Sequence, residues 1–165
     1  MATSNLESSF LQLVNASRAE VGLAPLVFDA ELVVAARDHS VWMDQTDSFS
    51  YTGVSGSSPG DRIAAAGYDT TGWAENIAYT SWWSDPAAQA IVAMDQTTVD
   101  HLHRMLMDSP PHRANILSAD MAEIGIGFHQ GDLNGLSTVF VTEVFGHPTA
   151  AEAAEAYKGL QLFGC

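Results

Sequence analysis

Six histidines, 20 Asp plus Glu and six Lys plus Arg set the chemistry open to this chain. His101 and His103 stand two residues apart, about 200° around a helix, so they cannot face one metal ion together. His39 falls on an apolar helical stripe and reads as a core histidine satisfied by hydrogen bonds. His129 and His147 are strand-end or loop residues without a partner nameable from sequence. Ser109 and His112 invite a nucleophile-and-base reading. A serine hydrolase, however, needs an aimed imidazole, an orienting acid and an oxyanion hole. Two prolines separate these residues and no nucleophile-elbow pattern surrounds Ser109, so Ser109-Pro110 reads as a helix stop. Asp132 and Asn134 resemble a scatter of calcium ligands but lack the Asp-x-Asp-x-Asp-Gly spacing. Trp82-Trp83, before Ser84-Asp85-Pro86, is the aromatic pair most open to contact with a lipid, glycan or protein, against a half-buried core role. The single cysteine, Cys165, permits no intrachain disulfide.

The whole chain bounds these choices. Its 165 residues suffice for one domain with a real core, and 47% of them are apolar. A net charge of −14 argues against nucleic acid and anionic membrane surfaces, because the cations that neutralise phosphates are missing. The same charge suits a soluble protein with cationic ligands or metal ions. The N-terminus has no basic region followed by an apolar one, so it is not a Sec signal. No stretch approaches the roughly 18 apolar residues of a transmembrane segment. Cytoplasmic residence, a removed signal or another export route are the expectations left open.

The elements that must position these residues follow from period and punctuation. A helix starts near Ser4 with Leu6, Phe10, Leu13 and Val14 on one stripe, and ends near Gly22. Asp29 caps a second, carrying Leu32, Ala35, Ala36, His39 and Met43. Thr46 to Gly60 is a loop. A short helix runs from Pro59 to Ala66 and stops at Gly67. Trp73 to Thr80 is extended. Asp85-Pro86 opens a long helix through Ala87, Ile91, Met94, Thr98, Leu102 and Met105, which ends before Ser109. Ile124, Ile126 and Phe128 alternate with glycines, and Val139 to Phe145 alternates about both faces. These are two antiparallel strands joined across Gly131 to Gly135, in a sheet covered on both sides. The class is α+β with helices on both faces. Residues 148–165 form a tail: a linker, a docking helix or the start of something longer.

Four segments in order carry a resemblance. They are Asn15 to Leu26 with the His39 helix; Phe49-Ser-Tyr-Thr-Gly with Ser58-Pro-Gly-Asp-Arg-Ile; Trp73-Ala-Glu-Asn-Ile-Ala; and Pro111-His-Arg-Ala-Asn-Ile-Leu with Glu123-Ile-Gly-Ile-Gly and Val139-Phe-Val-Thr-Glu-Val. Over about residues 5–146 the chain resembles the bacterial branch of the CAP superfamily (cysteine-rich secretory protein, antigen 5, pathogenesis-related 1). The resemblance implies a three-layer α-β-α sandwich over residues 1–147 with a central cleft holding two histidines and one or two glutamates. Glu75 and His112 match that set, with Asn76 and Asn115 beside them. The first histidine does not match, because Tyr51 stands there.

A zinc site wants three or four His, Cys or carboxylate ligands, and a phenol is neutral at pH 7. His112 and Glu75 alone would therefore make a partial site for a divalent metal such as zinc. As a pair they would suit acid–base chemistry, the carboxylate raising the imidazole pKa, or a polar clamp. Glu143 and His103 are the further cleft candidates, Glu143 from its strand and His103 from one turn before Leu106. The expected function is a secreted module that binds a small-molecule, lipid or protein ligand through a cleft containing Tyr51, Glu75, Asn76, His103, His112, Asn115 and Glu143. The alternatives are a peptidase-like hydrolase using His112 and Glu75, with or without a metal, and a structural module with a vestigial cleft. Bacterial relatives beside calcium-binding repeats, exported by a C-terminal signal, would reconcile an extracellular role with the missing Sec signal.

Overall fold

The computed structural model describes residues 4–81 and 93–154. Helix α1 (Asn5–Glu20) opens with a capping box: the Ser4 hydroxyl accepts the Glu7 N–H and the Glu7 carboxylate accepts the Ser4 N–H. Strand β1 (Val27–Phe28) leads into α2 (Ala30–Gln45), capped by Asp29 through the Leu32 N–H. A one-turn 3-10 helix (Val54–Gly56) precedes α3 (Pro59–Ala66), which has a Ser58/Asp61 capping box and ends on Gly67 at φ +100°. Strand β2 (Thr70–Ser81) follows, then α4 (Gln96–Asp108), α5 (Pro110–Ile116), β3 (Glu123–Leu133) and β4 (Leu136–Pro148). Residues 150–154 are helical.

Two readings from the sequence are corrected here. The long helix does not run through Met94. Asp95 accepts the Thr98 N–H and the Thr98 hydroxyl donates to Ala93 O, so the helix begins at Gln96. Its expected start at Asp85-Pro86, and Trp82-Trp83, lie outside the described residues. Nor does Ser109 stop all helical structure. It ends α4 and begins α5, whose first two residues are Pro110 and Pro111, where a missing N–H costs nothing.

The sheet order is β1-β3-β4-β2, with β1 parallel to β3 and the other pairs antiparallel. Strands β3 and β4 meet through a two-residue turn. Asn134 (φ +54°) and Gly135 (φ +80°) both take the left-handed region, as a type I′ hairpin turn requires. The loop is shorter than Gly131 to Gly135 because its outer residues pair. Asp132 and Asp44 spend carboxylate oxygens on backbone N–H groups of Gly135 and Asp132, which gives the acids near this turn a structural use.

The three-layer α+β sandwich is evident from the faces. Ile124, Ile126, Val139, Val141 and Phe145 pack under Phe10 and Val14 of α1, Leu102 and Leu106 of α4, and Ile116 of α5. Val144, on the other face, packs with Leu32, Ala36 and Ile63; Phe140 and Ile77 pack with Met43. Helix α2 lies directly on β3 at Gly125 and Gly127. A Cβ on Gly125 would sit 2.0 Å from the Leu32 carbonyl carbon, and one on Gly127 2.3 Å from the Arg37 nitrogen. The Gly-x-Gly alternation is thus a seat for a helix backbone, not a turn.

Candidate functional site at the free edge of the sheet

Strand β2 is an edge strand, and successive residues point to opposite faces. Glu75 and Ile77 face the α2–α3 layer; Asn76 and Ala78 face the α1–α4–α5 layer. The 46–58 connection closes over the edge from one side and α5 from the other. They meet where the Tyr51 Oη stands 3.0 Å from His112 Nε2. Burial pushes the Tyr51 pKa up, the charges of Glu75 and Glu143 add to that, and a backbone hydrogen bond at Ile77 works against it. Burial pulls the His112 pKa down. Both directions favour a phenol that donates to a neutral imidazole.

Beneath this pair, Glu75 is held by an arginine. Arg62 Nη2 lies 2.7 and 2.8 Å from the two carboxylate oxygens, and Nη1 donates to the carbonyls of Tyr51 and Ser57 at 3.0 and 3.1 Å. One guanidinium therefore fixes both the acid and the loop that delivers Tyr51. His39 Nε2 lies 3.8 Å from Glu75 and 2.9 Å from the Ser50 carbonyl. A carbonyl only accepts, so Nε2 carries the proton and Nδ1 does not. Burial, then the Arg62 charge, lowers the His39 pKa to about 4. Burial raises the Glu75 pKa to about 7, although the charge and hydrogen bonds of Arg62 pull it back.

On the other face an amide ladder locks α5 to the sheet. Asn76 Nδ2 donates to Glu143 Oε2 at 2.8 Å and to the His112 carbonyl at 3.0 Å. Asn115 donates to Asn76 Oδ1 at 2.8 Å and reaches the Glu75 carbonyl at 3.4 Å. Glu143 is fully buried, and among the described residues its Oε1 has no hydrogen-bond partner. Desolvation lifts its pKa to about 8, with the Asn76 bond opposing, so it is mostly a neutral acid at pH 7.

Six of the candidates from sequence thus gather at one edge: Tyr51, Glu75, Asn76, His112, Asn115 and Glu143. His103 does not join them. Its Nε2 lies 3.1 Å from the Ser17 hydroxyl and its ring packs edge-on to Phe10, which places it between α4 and α1. His112 and Glu75 share no hydrogen bond or ion pair, so Glu75 does not raise the imidazole pKa. His39, read as a satisfied core residue, is buried but satisfied at one nitrogen alone. Arg62 was passed over. The signal for it was chemical: a buried glutamate needs a cation, and an acid-rich chain offers few.

The residues present do not fit a metal at this edge. His112 Nε2, the nitrogen facing the cleft, is engaged by a phenol. Both Glu75 oxygens are engaged by a cation that would repel another. His39 presents an N–H where a ligand needs a lone pair. Among the described residues, three acids do bring carboxylate oxygens within 4.8 Å of one another, Asp29, Glu31 and Glu152, beside the N-terminal end of α2. What the edge offers instead is a groove of 400 Å³, lined by Phe49, Ile77, Tyr79, Met105 and Leu106, with Ser109 and His112 at its polar end. Phe49 and Tyr79 meet edge-on there, their centroids 4.7 Å apart.

Known proteins share this architecture. The family model described as "CAP: Cysteine-rich secretory protein family" matches residues 11–145. The uncharacterized protein YkwD of Bacillus subtilis is 31% identical over 129 residues, covering 77% of this chain and 44% of that protein. The chain therefore spans less than half of that relative's length. An outer surface protein of Borrelia burgdorferi superposes with a TM-score of 0.69 at 15% identity, over 90% of this chain and 97% of the other. An extracellular SCP-domain protein of Bacillus anthracis gives 0.63 at 23% identity, over 86% and 40%. At these identities the two structures speak for the fold.

Proposed function

This chain belongs to the cysteine-rich secretory protein (CAP) family, and we propose that it is a non-enzymatic binding module. It takes an apolar small-molecule, lipid or protein ligand in the groove along the free edge of β2, with His112 and Tyr51 at the polar end. The observation that carries this reading is the division of labour at the edge. The polar groups are bonded to one another, while the groove beside them presents exposed apolar side chains: Phe49 is 42% and Met105 40% exposed. Pockets that bind small molecules are mainly apolar with a few placed polar groups. We propose extracellular residence on the strength of the B. anthracis relative, which is described as extracellular; among the described residues no helix is long and apolar enough to cross a membrane. Of residues 148–165, read as a tail, Pro148 pairs with Thr70 in the sheet and Thr149 and Glu152 bond to Asp69, so we propose that the first residues of this stretch dock on the domain.

The hydrolase reading draws on one observation, a buried Glu75 whose pKa is lifted to about 7. It needs His112 and Glu75 to work together, and Arg62 holds Glu75 instead. A titration with anilinonaphthalene sulfonate tests the binding reading. Saturable binding that weakens at least ten-fold in Met105→Glu and Phe49→Glu is expected. Equal binding in those folded variants would overturn it, as would peptide or ester hydrolysis abolished by His112→Ala.

A further inference from the structure

The hydrogen-bond phase of the sheet is fixed at its β1 edge. The Ala122 and Ile124 carbonyls accept from the N–H groups of Val27 and Asp29, so even-numbered residues of β3 turn their backbone groups to β1. Odd-numbered residues of β3 turn to β4, where the Gly146 carbonyl faces them opposite Glu123. The register then joins odd-numbered residues of β4 to even-numbered residues of β2, Glu143 to Asn76 and Val141 to Ala78. Odd-numbered residues of β2 therefore turn their N–H and C=O groups away from β4, to the free edge of the sheet. At the first of them, side chains stand in for a missing strand. Asn115 reaches the Glu75 carbonyl, and Tyr51 takes a backbone hydrogen bond at Ile77. Beyond that point, among the described residues, nothing bonds the outward groups of Tyr79 or Ser81.

The 400 Å³ groove wraps this edge. Ile77 and Tyr79 face one layer, with Phe49; Ala78 faces the other, with Met105 and Leu106; and all six line the same groove. A groove lined from both faces of a strand has the strand's edge for its floor. We propose, on the strength of the groove reading above, that its ligand is an extended peptide segment of another protein. The segment lies along β2 from Ile77 to Ser81, about 14 Å of strand. It pairs with the outward groups of Tyr79 and Ser81 and becomes a fifth strand of the four-stranded sheet. Its side chains fall alternately on the Phe49 and Tyr79 wall and on the Met105 and Leu106 wall, so its centre is apolar. A lipid would fill the walls but would cover the outward backbone groups without bonding them, which is unfavourable; a peptide strand meets both demands. Charge sets its flanks. No Asp, Glu, Lys or Arg lines the groove, and the chain carries a net charge of −14. Exposed Asp47 and Asp108 stand beside Phe49 and Ser109 in sequence, against one exposed Arg104 beside Met105. The segment that fits carries Lys or Arg at its ends.

The test is displacement of anilinonaphthalene sulfonate from the whole chain by a pool of heptapeptides with Lys at both ends and Val, Leu, Tyr or Thr at the five central positions. Members of the pool are expected to displace the dye. An N-methyl group is then moved one position at a time along the best of them. Methylation at every second position should weaken binding at least ten-fold and methylation between should not, because a paired strand turns alternate N–H groups to its neighbour. Hydrogen exchange at the Tyr79 and Ser81 amides should slow at least ten-fold in the complex, with the Ala78 and Thr80 amides, already in the ladder, as controls. Ser81→Pro removes an outward N–H that the fold does not use and should weaken the best peptide at least ten-fold; the methylation pattern reads the same contact without altering the protein. Dye that binds but yields to no peptide, a methylation scan without the two-residue period, or Tyr79 exchange unchanged in the complex would overturn strand addition and leave the groove reading standing. Absence of dye binding would overturn both.

Discussion

Arg18 and Arg62 are both drawn into the interior, and they end in different company. Arg18, 2% exposed, donates to four backbone carbonyls: Ala24, Ile116, Ser118 and Met121. It ties α1 to the segment joining α5 and β3, and the carbonyls ask nothing further of it. Arg62 spends two nitrogens on Glu75 and two loop carbonyls and leaves its third unpartnered. His39 and Glu143, around the same edge, each carry an orphan atom too. A buried cation bonded through every nitrogen marks a region built for stability; the orphans at Arg62, His39 and Glu143 mark a region in which other demands were met.

Among substitutions in these two regions, the largest effect belongs to Arg18. Arg18→Met strands buried carbonyls of two segments and should cost about 3 kcal/mol or more in urea unfolding. A loss below 1 kcal/mol would erase the contrast. Arg62→Met should cost roughly 1–3 kcal/mol and make stability steeply pH-dependent. Glu75 has a folded pKa of about 7 against an ordinary 4.5. The folded state then holds the proton more tightly than the unfolded one. This contribution is present below pH 4.5 and is lost as pH rises toward 7. Without Arg62 the folded pKa climbs further, so the deficit of the variant should widen between pH 5 and 8. A constant deficit would contradict the ion pair.

Glu143→Gln should act with the same sign and more gently. Its folded pKa of about 8 means that wild type loses stability between pH 4.5 and 8, and a neutral amide removes that loss. The variant should gain on wild type as pH rises from 5 to 9, measured by thermal unfolding. The smallest effect is expected from Tyr51→Phe. Stability should change by about 1 kcal/mol or less, while the His112 pKa, read by NMR, should rise only slightly: the neutral ring loses the phenol's hydrogen bond, but the burial that holds the pKa down remains.

Much of the fold was legible because period and punctuation agree with tertiary structure. Ser4 and Asp29 cap where they were expected, and Pro59 to Ala66 is the helix foreseen. The sheet pair was visible in the alternation about Gly125 and Gly127. What the glycines were for was not, because their purpose is the backbone of α2, some 90 residues away in sequence. Helix α5 was hidden by its two prolines, which read as a stop although they also begin a helix. At the site, residue types were visible and bonding was not. Glu75 and His112 were identified as partners by resemblance, yet Glu75 faces the α2–α3 layer and is taken by Arg62. His103 looked close to the cleft from its position one turn before Leu106, but helical phase turns it toward Ser17 and Phe10.

This cleft is held shut by its own side chains: Arg62 fills the cation's place at Glu75, and Tyr51 occupies His112. Zinc titration watched at the His112 ring by NMR tests it most directly, because the acids at Asp29, Glu31 and Glu152 could take up metal elsewhere without touching that signal. We predict that His112 resonances stay in place in wild type at one equivalent of zinc. A one-to-one zinc site that shifts the His112 ring and is lost in His112→Ala would contradict the claim.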